Sequence, residues 1–496
     1  MLIDTPTHPP IGFKQGFYTD LPDCYVDADA AQFDSPELVY FNHDYAASLK
    51  LSLPTDDTQL AALFSGQALP SDAKPIAQAY AGHQFGHFNP SLGDGRAMIL
   101  GEIEGTNGEL TELDLKGSGP TPFSRNGDGK AAIGPMLREV LISEAIHAMH
   151  IPTTRSLAVV NTGERVFRSP PQSGAVLART ADSHIRIGTF QYFAARDQHD
   201  VIGKLVTYCI DRHYGHLQSS EQPAVDLLNA VVEAQADLVA QWMGVGFIHG
   251  VMNTDNILIG AQTIDYGPCA FMDTYDPTTV FSSIDANSRY AYMNQPPVMQ
   301  WNLARLAETL LAQLSSNKDE AIELATNAVK RFNTLYNQAY LHVMCAKLGM
   351  QYNVDSIEET QAIESIVSQW TDLLTEHNID WSRAHIALTC HLTKQHDRLS
   401  LLGLFNQSQD LTHWLALRDK FSQPDLSSMK EVNPIVLPRN HLVEEAIDAA
   451  SLYNDYAPFF ALLTVLQQPY NWPTDDKYTQ ASTAAFTEEF VTYCGT

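Results

Sequence analysis

The stretch Gly246-Phe-Ile-His249-Gly-Val-Met-Asn-Thr-Asp255-Asn256, followed shortly by Thr263-Ile-Asp265-Tyr-Gly267, carries the side chains best suited to chemistry. A carboxylate beside a carboxamide, with a second carboxylate close behind, can accept a proton and hold a divalent cation through oxygen. Phosphotransferase catalytic loops read His-x-Asp-x4-Asn, with the Asp as base and the Asn on a metal ion. His249 and Asn256 keep that spacing, but Val251 occupies the position of the base, and the only nearby carboxylate is Asp255. Asp265-Tyr-Gly267 resembles an Asp-Phe-Gly whose Asp binds magnesium. The chemistry implied is phosphorus transfer with a displaced base, and the spacing does not say which phosphorus is attacked.

Upstream, Leu110-Thr-Glu-Leu-Asp-Leu-Lys116 alternates as a strand, with Leu113 and Leu115 on one face and Glu112, Asp114 and Lys116 on the other. Gly134-Pro135 then opens a helix to about Met149, in which Glu139 shares an apolar stripe with Met136, Ile142 and Ile146. A carboxylate on such a stripe needs a cation, because an unpaired buried charge is costly. Lys116 is the natural partner, and a strand lysine paired with a helix glutamate is how protein kinases hold nucleotide phosphates. Gly93-Asp-Gly95-Arg96, Gly117-Ser-Gly119 and Gly127-Asp-Gly129 are loops whose backbone N–H groups could converge on an anion. Gly82-His-Gln-Phe-Gly-His87 spaces two histidines four apart, but its glycines oppose a regular helix and favour a structural loop over a metal site.

These residues need a scaffold of two textures. Residues 1–75 read as an irregular lead-in with one or two short helices. From 76 to 198, β-like runs (96–103, 110–116, 156–160, 175–178) alternate with Gly-rich loops and the one helix. From 199 to 496 helical periodicity dominates (201–216, 224–243, 299–314, 318–348, 357–374), with one β-like interruption over 256–266. The fold class is α+β: a mostly β first lobe and a large, mostly α second lobe, with a ligand cleft expected between them.

The net charge of -28 comes from 30 Lys+Arg against 58 Asp+Glu, and argues against nucleic acid or anionic membrane as partners. Residues 96–196 are the exception, with eleven Lys+Arg against ten Asp+Glu, which suits a small polyanion. Six dispersed cysteines give no zinc ribbon or disulfide framework, and the first ten residues lack a signal-peptide pattern, so a cytoplasmic location is expected.

Taken together, YAGHQFGHFNPSLGDGRA (80–97), ELDLKGSGPTPFSRNGDGKA (112–131), REVLISEAIHAMHIPTTR (138–155), HGVMNTDN (249–256), TIDYGP (263–268) and RYAYMNQPPVMQWNLARLAE (289–308) resemble the selenoprotein O family of protein adenylyltransferases. The resemblance covers most of 75–310. It implies a bilobal, protein-kinase-like fold that binds ATP in a flipped orientation and transfers AMP to a Ser, Thr or Tyr hydroxyl of a protein, releasing pyrophosphate. Residue by residue, it implies Asp255 as proton acceptor and Asn256 and Asp265 as ligands of Mg2+, with Mn2+ as a substitute. Gly93, Gly95, Arg96, Lys116, Asp128, Gly129, Arg179 and Arg186 match nucleotide contacts, and Glu139 matches the partner of the lysine. Lys130 stands where many relatives carry arginine. Cys494 occupies the family's C-terminal selenocysteine or cysteine position, and Cys269 is the cysteine available to pair with it. Two other readings stay open on the residues alone: kinase-type transfer, or a nucleotide-binding scaffold without catalysis.

Overall fold

The computed structural model describes residues 8–168, 171–395 and 398–493, so Cys494 lies outside the described residues. The strands are β1 Tyr25–Asp27, β2 Glu37–Phe41, β3 Ile76–Gln78, β4 Gly82–Gln84, β5 His87–Asn89, β6 Ala97–Glu104, β7 Leu110–Lys116, β8 Ala131–Ala132, β9 Arg155–Val166, β10 Gln172–Ala181, β11 Phe247–Ile248 and β12 Ala270–Phe271. The helices that bear on the site are α1 Ile133–Ala148, α2 Ile187–Ala194, α3 His199–His213, α4 Pro223–Val245, α5 Gln295–Thr309, α6 Lys318–Leu348, α7 Ile357–Glu376, α8 Trp381–Leu392 and α9 Asn440–Tyr453.

An antiparallel sheet in the order β1-β3-β6-β7-β10-β9-β2, with β8 added to β10, forms the first lobe. Leu113 and Leu115 pack with Leu60, Phe64, Met98 and Val176 into a core on one side of the sheet. On the other side, α1 joins the larger core that continues through the helical lobe. Residues 1–75, read from the sequence as an irregular lead-in, supply both edge strands: β1 pairs with β3, and β2 with β9. The β-like interruption over 256–266 is not a strand. It touches the first lobe through single bridges, Arg186 with Leu258 and Thr153 with Thr263, and its backbone is also taken up by side chains of the helical lobe, Tyr214 on Ile259 and Gln235 on Leu258, so no ladder forms.

The helical lobe is pinned to the site by one buried ion cluster. Arg439, at the start of α9, pairs with Asp380, the N-cap of α8, at 2.7 Å and with Asp273, two residues past β12. Arg439 is 2 % exposed, so removing it strands two buried carboxylates. Among the described residues no helix is long and apolar enough to cross a membrane. Lys347 near the end of α6 is a buried cation whose ammonium donates to the Val432 carbonyl at 3.3 Å, and burial pushes its pKa down to about 7.

Two outcomes follow from these buried charges. Arg439→Met is expected to cost about 3–5 kcal/mol, read as a lower urea midpoint at unchanged slope. For Lys347 the folded pKa lies below that of the unfolded chain, so the unfolded state binds more protons between pH 7 and about 10. The native protein should therefore gain stability relative to Lys347→Met as pH rises through that window, measured as the difference of their unfolding free energies.

Candidate active site

β7 ends at Lys116, and its polar face turns inward rather than toward water: Glu112, Asp114 and Lys116 are all buried. Lys116 Nζ reaches Glu139 Oε2 at 2.7 Å, the pairing that the stripe position of Glu139 requires, and Asp265 Oδ1 at 2.6 Å. Neighbouring β10 places Arg179 opposite Asp114, and its guanidinium spans Asp114 at 2.8 Å, Glu139 at 2.6 Å and Asp265 at 2.9 Å. Arg186, the residue before α2, donates to the Asp255 carbonyl at 2.7 Å and to Asp265 Oδ2 at 3.3 Å, and stacks 4.5 Å from the Tyr80 ring. Three cations from the first lobe thus converge on one carboxylate from the second.

The electrostatics follow from that geometry. Burial would raise the Asp265 carboxyl, but Lys116, Arg179 and Arg186 hold it well below the usual carboxylate range. Glu139 is lowered in the same way, its burial outweighed by Lys116 and Arg179. Burial raises Asp94 and Asp114 against the pull of Arg186 and Arg179 respectively. Asp265 stays 21 % exposed while Arg179 and Arg186 are 3–4 % exposed, so the carboxylate faces the cavity and the cations back it. Its φ of 64° is a strained backbone for aspartate, of the kind held in place at functional sites.

The loop that carries Asp255 runs between β11 and β12, which pair antiparallel. Asp255 is buried with Oδ1 unpartnered, and desolvation raises its pKa to about 6. Its other oxygen accepts from Gln84 Nε2 at 3.1 Å. The loop is clamped by the β4–β5 hairpin, the same GHQFGH segment that the sequence marked as structural. His83 N donates to Thr254 Oγ1 at 2.7 Å and Phe85 N to Asn253 Oδ1 at 3.1 Å. Phe85 and Gly86 both have positive φ, the two-residue turn that matches strand twist, and glycine takes that conformation without steric cost. Gly82 is needed for a different reason: a Cβ there would lie 2.4 Å from Asp255 Oδ1. From the other side, α5 holds the loop through Asn302 Nδ2 on the Met252 carbonyl, and Tyr290 OH donates to Asn253 Oδ1 at 2.6 Å. His249 packs against Trp242 and Phe247, and burial lowers its pKa to about 4, which marks a structural ring.

A cavity of about 570 Å³ lies between the lobes, and Gly95, Arg96, Lys116, Glu139, Arg179, Arg186, Asp255, Asn256 and Asp265 all line it. Three sequence candidates do not. Gly93 accommodates the Phe123 ring, where a Cβ would fall 2.2 Å from Cγ. Gly129 crosses Gly119 at a distance only a glycine tolerates. Asp128 pairs with Arg168 at 2.9 Å on the exposed surface, and Lys130 pairs with Glu164. The walls also include Tyr80, Gln84, Asp94, Arg125 and Asn253. Asp94 sat inside the Gly93-Asp-Gly95 loop, so its position was legible, while Gln84 and Asn253 carried no spacing signal.

The side chains around the cavity fit a hard divalent cation. Asn256 donates its Nδ2 to the Val251 carbonyl at 3.0 Å, which leaves its amide oxygen for a ligand beside the Asp265 carboxylate. Two oxygen donors are few for an all-protein cage, and magnesium typically completes its shell with waters and substrate phosphates. Cys269, in the segment behind Asp265, is fully buried, and burial pushes its thiol up to about 12.

Comparison with known proteins places the chain in a family. A family profile described as "Protein adenylyltransferase SelO" matches residues 11–467, well beyond the 75–310 region that carried the motifs. A "Protein nucleotidyltransferase YdiU" of Chromobacterium violaceum is 47 % identical over 486 residues, covering 96 % of this chain and all of that protein. A protein of the same description from Bacillus cereus is 46 % identical over 491 residues, covering 97 % of this chain and 96 % of the relative. With a match of this extent along nearly its whole length, the chain belongs to the protein adenylyltransferase SelO family.

Proposed function

We propose that this enzyme transfers AMP from ATP to the hydroxyl of a Ser, Thr or Tyr residue in a protein. The observation that carries the reading is the position of Asp255. It is a buried carboxylate with a free oxygen at the cavity wall, whereas the ordinary kinase base position is the apolar, buried Val251. The acceptor hydroxyl loses its proton to Asp255 as its oxygen bonds to the α-phosphorus. The bond from that phosphorus to the bridging oxygen breaks, and pyrophosphate leaves with the electron pair. Lys116, Arg179 and Arg186 grip the β- and γ-phosphates, and the fork of each arginine suits a terminal phosphate. Glu139 and Asp114 orient Lys116 and Arg179 by hydrogen bonds, so the cations are preorganised for charge that grows on the leaving group. Arg96 and Gly95 line the same wall and contact the nucleotide. Gly93, Asp128 and Gly129 act one step removed, by shaping the loops that close over it. Asn256 and Asp265 would hold Mg2+, or Mn2+ in its place. Such an ion, when bound, neutralises phosphate charge and polarises the phosphorus.

ATP labelled separately at the α- and γ-phosphorus tests this directly. Label should reach protein from the α position only. Transfer from γ would instead make the chain a kinase, and transfer from neither a scaffold. Asp265→Ala should lower AMP incorporation about 10²–10³-fold, the loss of a main electrostatic element, and full activity in that variant would refute the metal role. Gly82→Ala should push Asp255 out of line and lower kcat about a hundredfold, the cost of a misplacement of about 1 Å. ATP affinity in that variant, measured by calorimetry, should hold.

A further inference from the structure

A second open cavity of about 590 Å³ adjoins the first, and Phe85 and Ile284 line both. Its other walls include His87, Asp285, Arg289 and Trp301. Its floor is tied to the catalytic loop, because Tyr290, next to Arg289, hydrogen-bonds Asn253, which in turn accepts from Phe85 N. Whatever rests in this groove therefore lies against the hairpin that clamps the Asp255 loop.

Its charge is distinctive. The Arg289 guanidinium stacks 4.6 Å from the Trp301 ring, and its Nε is buried without a hydrogen-bond partner. Arg305 stacks on the same ring at 4.9 Å but has an ion pair with Glu308 at 2.6 Å. Arg289 has no such carboxylate among the described residues. Asp285, which lines the same groove, has both oxygens on the backbone N–H groups of Arg289 and Tyr290, at 2.9 and 2.7 Å. In a chain with 58 carboxylates and 30 Lys+Arg, carboxylate partners are abundant, yet this arginine is held against an aromatic ring at the mouth of the site. Beside it Ile284, 54 % exposed, offers an apolar contact.

We propose that this groove docks the acceptor protein as an extended segment, with Arg289 pairing with an Asp or Glu side chain near the modified hydroxyl and Ile284 and Trp301 packing its apolar neighbour. The proposal rests on the transferase reading, and it adds that acceptors are acidic around the modified residue. Arg289 and Trp301 belong to the RYAYMNQPPVMQWNLARLAE stretch, whose Tyr290 and Asn302 hold the Asp255 loop, and they themselves do not line the first cavity. Arginine suits the groove, since a guanidinium can stack on an aromatic face and pair with a carboxylate at once.

The test uses fluorescein-labelled serine peptides in which one residue, one to four positions from the serine on either side, is Asp or Lys in an otherwise Gly/Ala background. Fluorescence anisotropy with the full chain should give the best Asp peptide a Kd about tenfold below its Lys counterpart, a difference of about 1.4 kcal/mol, shrinking as salt is added. Arg289→Glu should reverse the order, so that the Lys peptide binds more tightly. Equal affinities in the native protein would overturn the proposal, and so would an acidic preference that survives Arg289→Glu. Because binding is read without chemistry, the two readings fail separately. An acidic preference with no label from α-labelled ATP would sink the transferase and keep the docking groove. AMP transfer to both peptides with equal affinity and equal kcat/KM would do the reverse.

Discussion

The structure is organised around the cost of burying charge. Asp265 from the helical lobe meets Lys116, Arg179 and Arg186 from the sheet lobe, and Glu139 and Asp114 complete the network. None of the three cations could occupy its place alone, because an uncompensated buried charge costs several kcal/mol. Together they must be matched by carboxylates from several elements, which sets the positions of β7, β10 and α1 and brings the Asp265 segment against them. The same network lines the cavity with three cations that are already fixed in place by their carboxylates.

A second constraint acts on the loop that carries Asp255. Apart from one 3-10 turn over Thr254–Asn256 it lacks regular structure, so its geometry is imposed from outside by the β4–β5 hairpin on one side and by α5 and Tyr290 on the other. The hairpin spends a strained Phe85 and a bare Gly82 to approach this closely. Asp255 thereby keeps one oxygen fixed by Gln84 and the other unpartnered, a carboxylate that is held in place yet still able to take a proton. Farther away, the Arg439 cluster ties the helices after residue 380 to the strand that follows Asp265, so those helices contribute to the rigidity of the site without touching it.

Much of this was legible in the residues. The strand over 110–116 and the helix over 318–348 were bounded by their own periodicity. Lys116 was paired with Glu139 on the single argument that a carboxylate on an apolar stripe needs a cation, which burial energetics makes nearly compulsory. The parts that were not legible share a cause. Residues 25–27 and 37–41 are too short to reveal themselves as strands, since each becomes a strand only by pairing with a partner far along the chain. Alternation put Glu112, Asp114 and Lys116 on one face of β7 but reports only which residues differ, and not what faces them. Arg179 and Arg186 carry no local pattern at all, and the family resemblance supplied them.

The sequence by itself therefore determined the inventory: which side chains could take a proton, hold a cation or grip phosphate, and the periodic elements that carry most of them. Chain-local chemistry is sufficient for that, because propensity and spacing act over a few residues. Only the tertiary structure decided that Asp265 would be shared by three cations, that the GHQFGH hairpin would clamp Asp255, and that Arg289 would face a groove whose one lining carboxylate, Asp285, is taken by backbone N–H groups. Those outcomes depend on long-range packing between lobes, where the partner of each charge is chosen by what burial brings within reach rather than by what lies beside it in the chain.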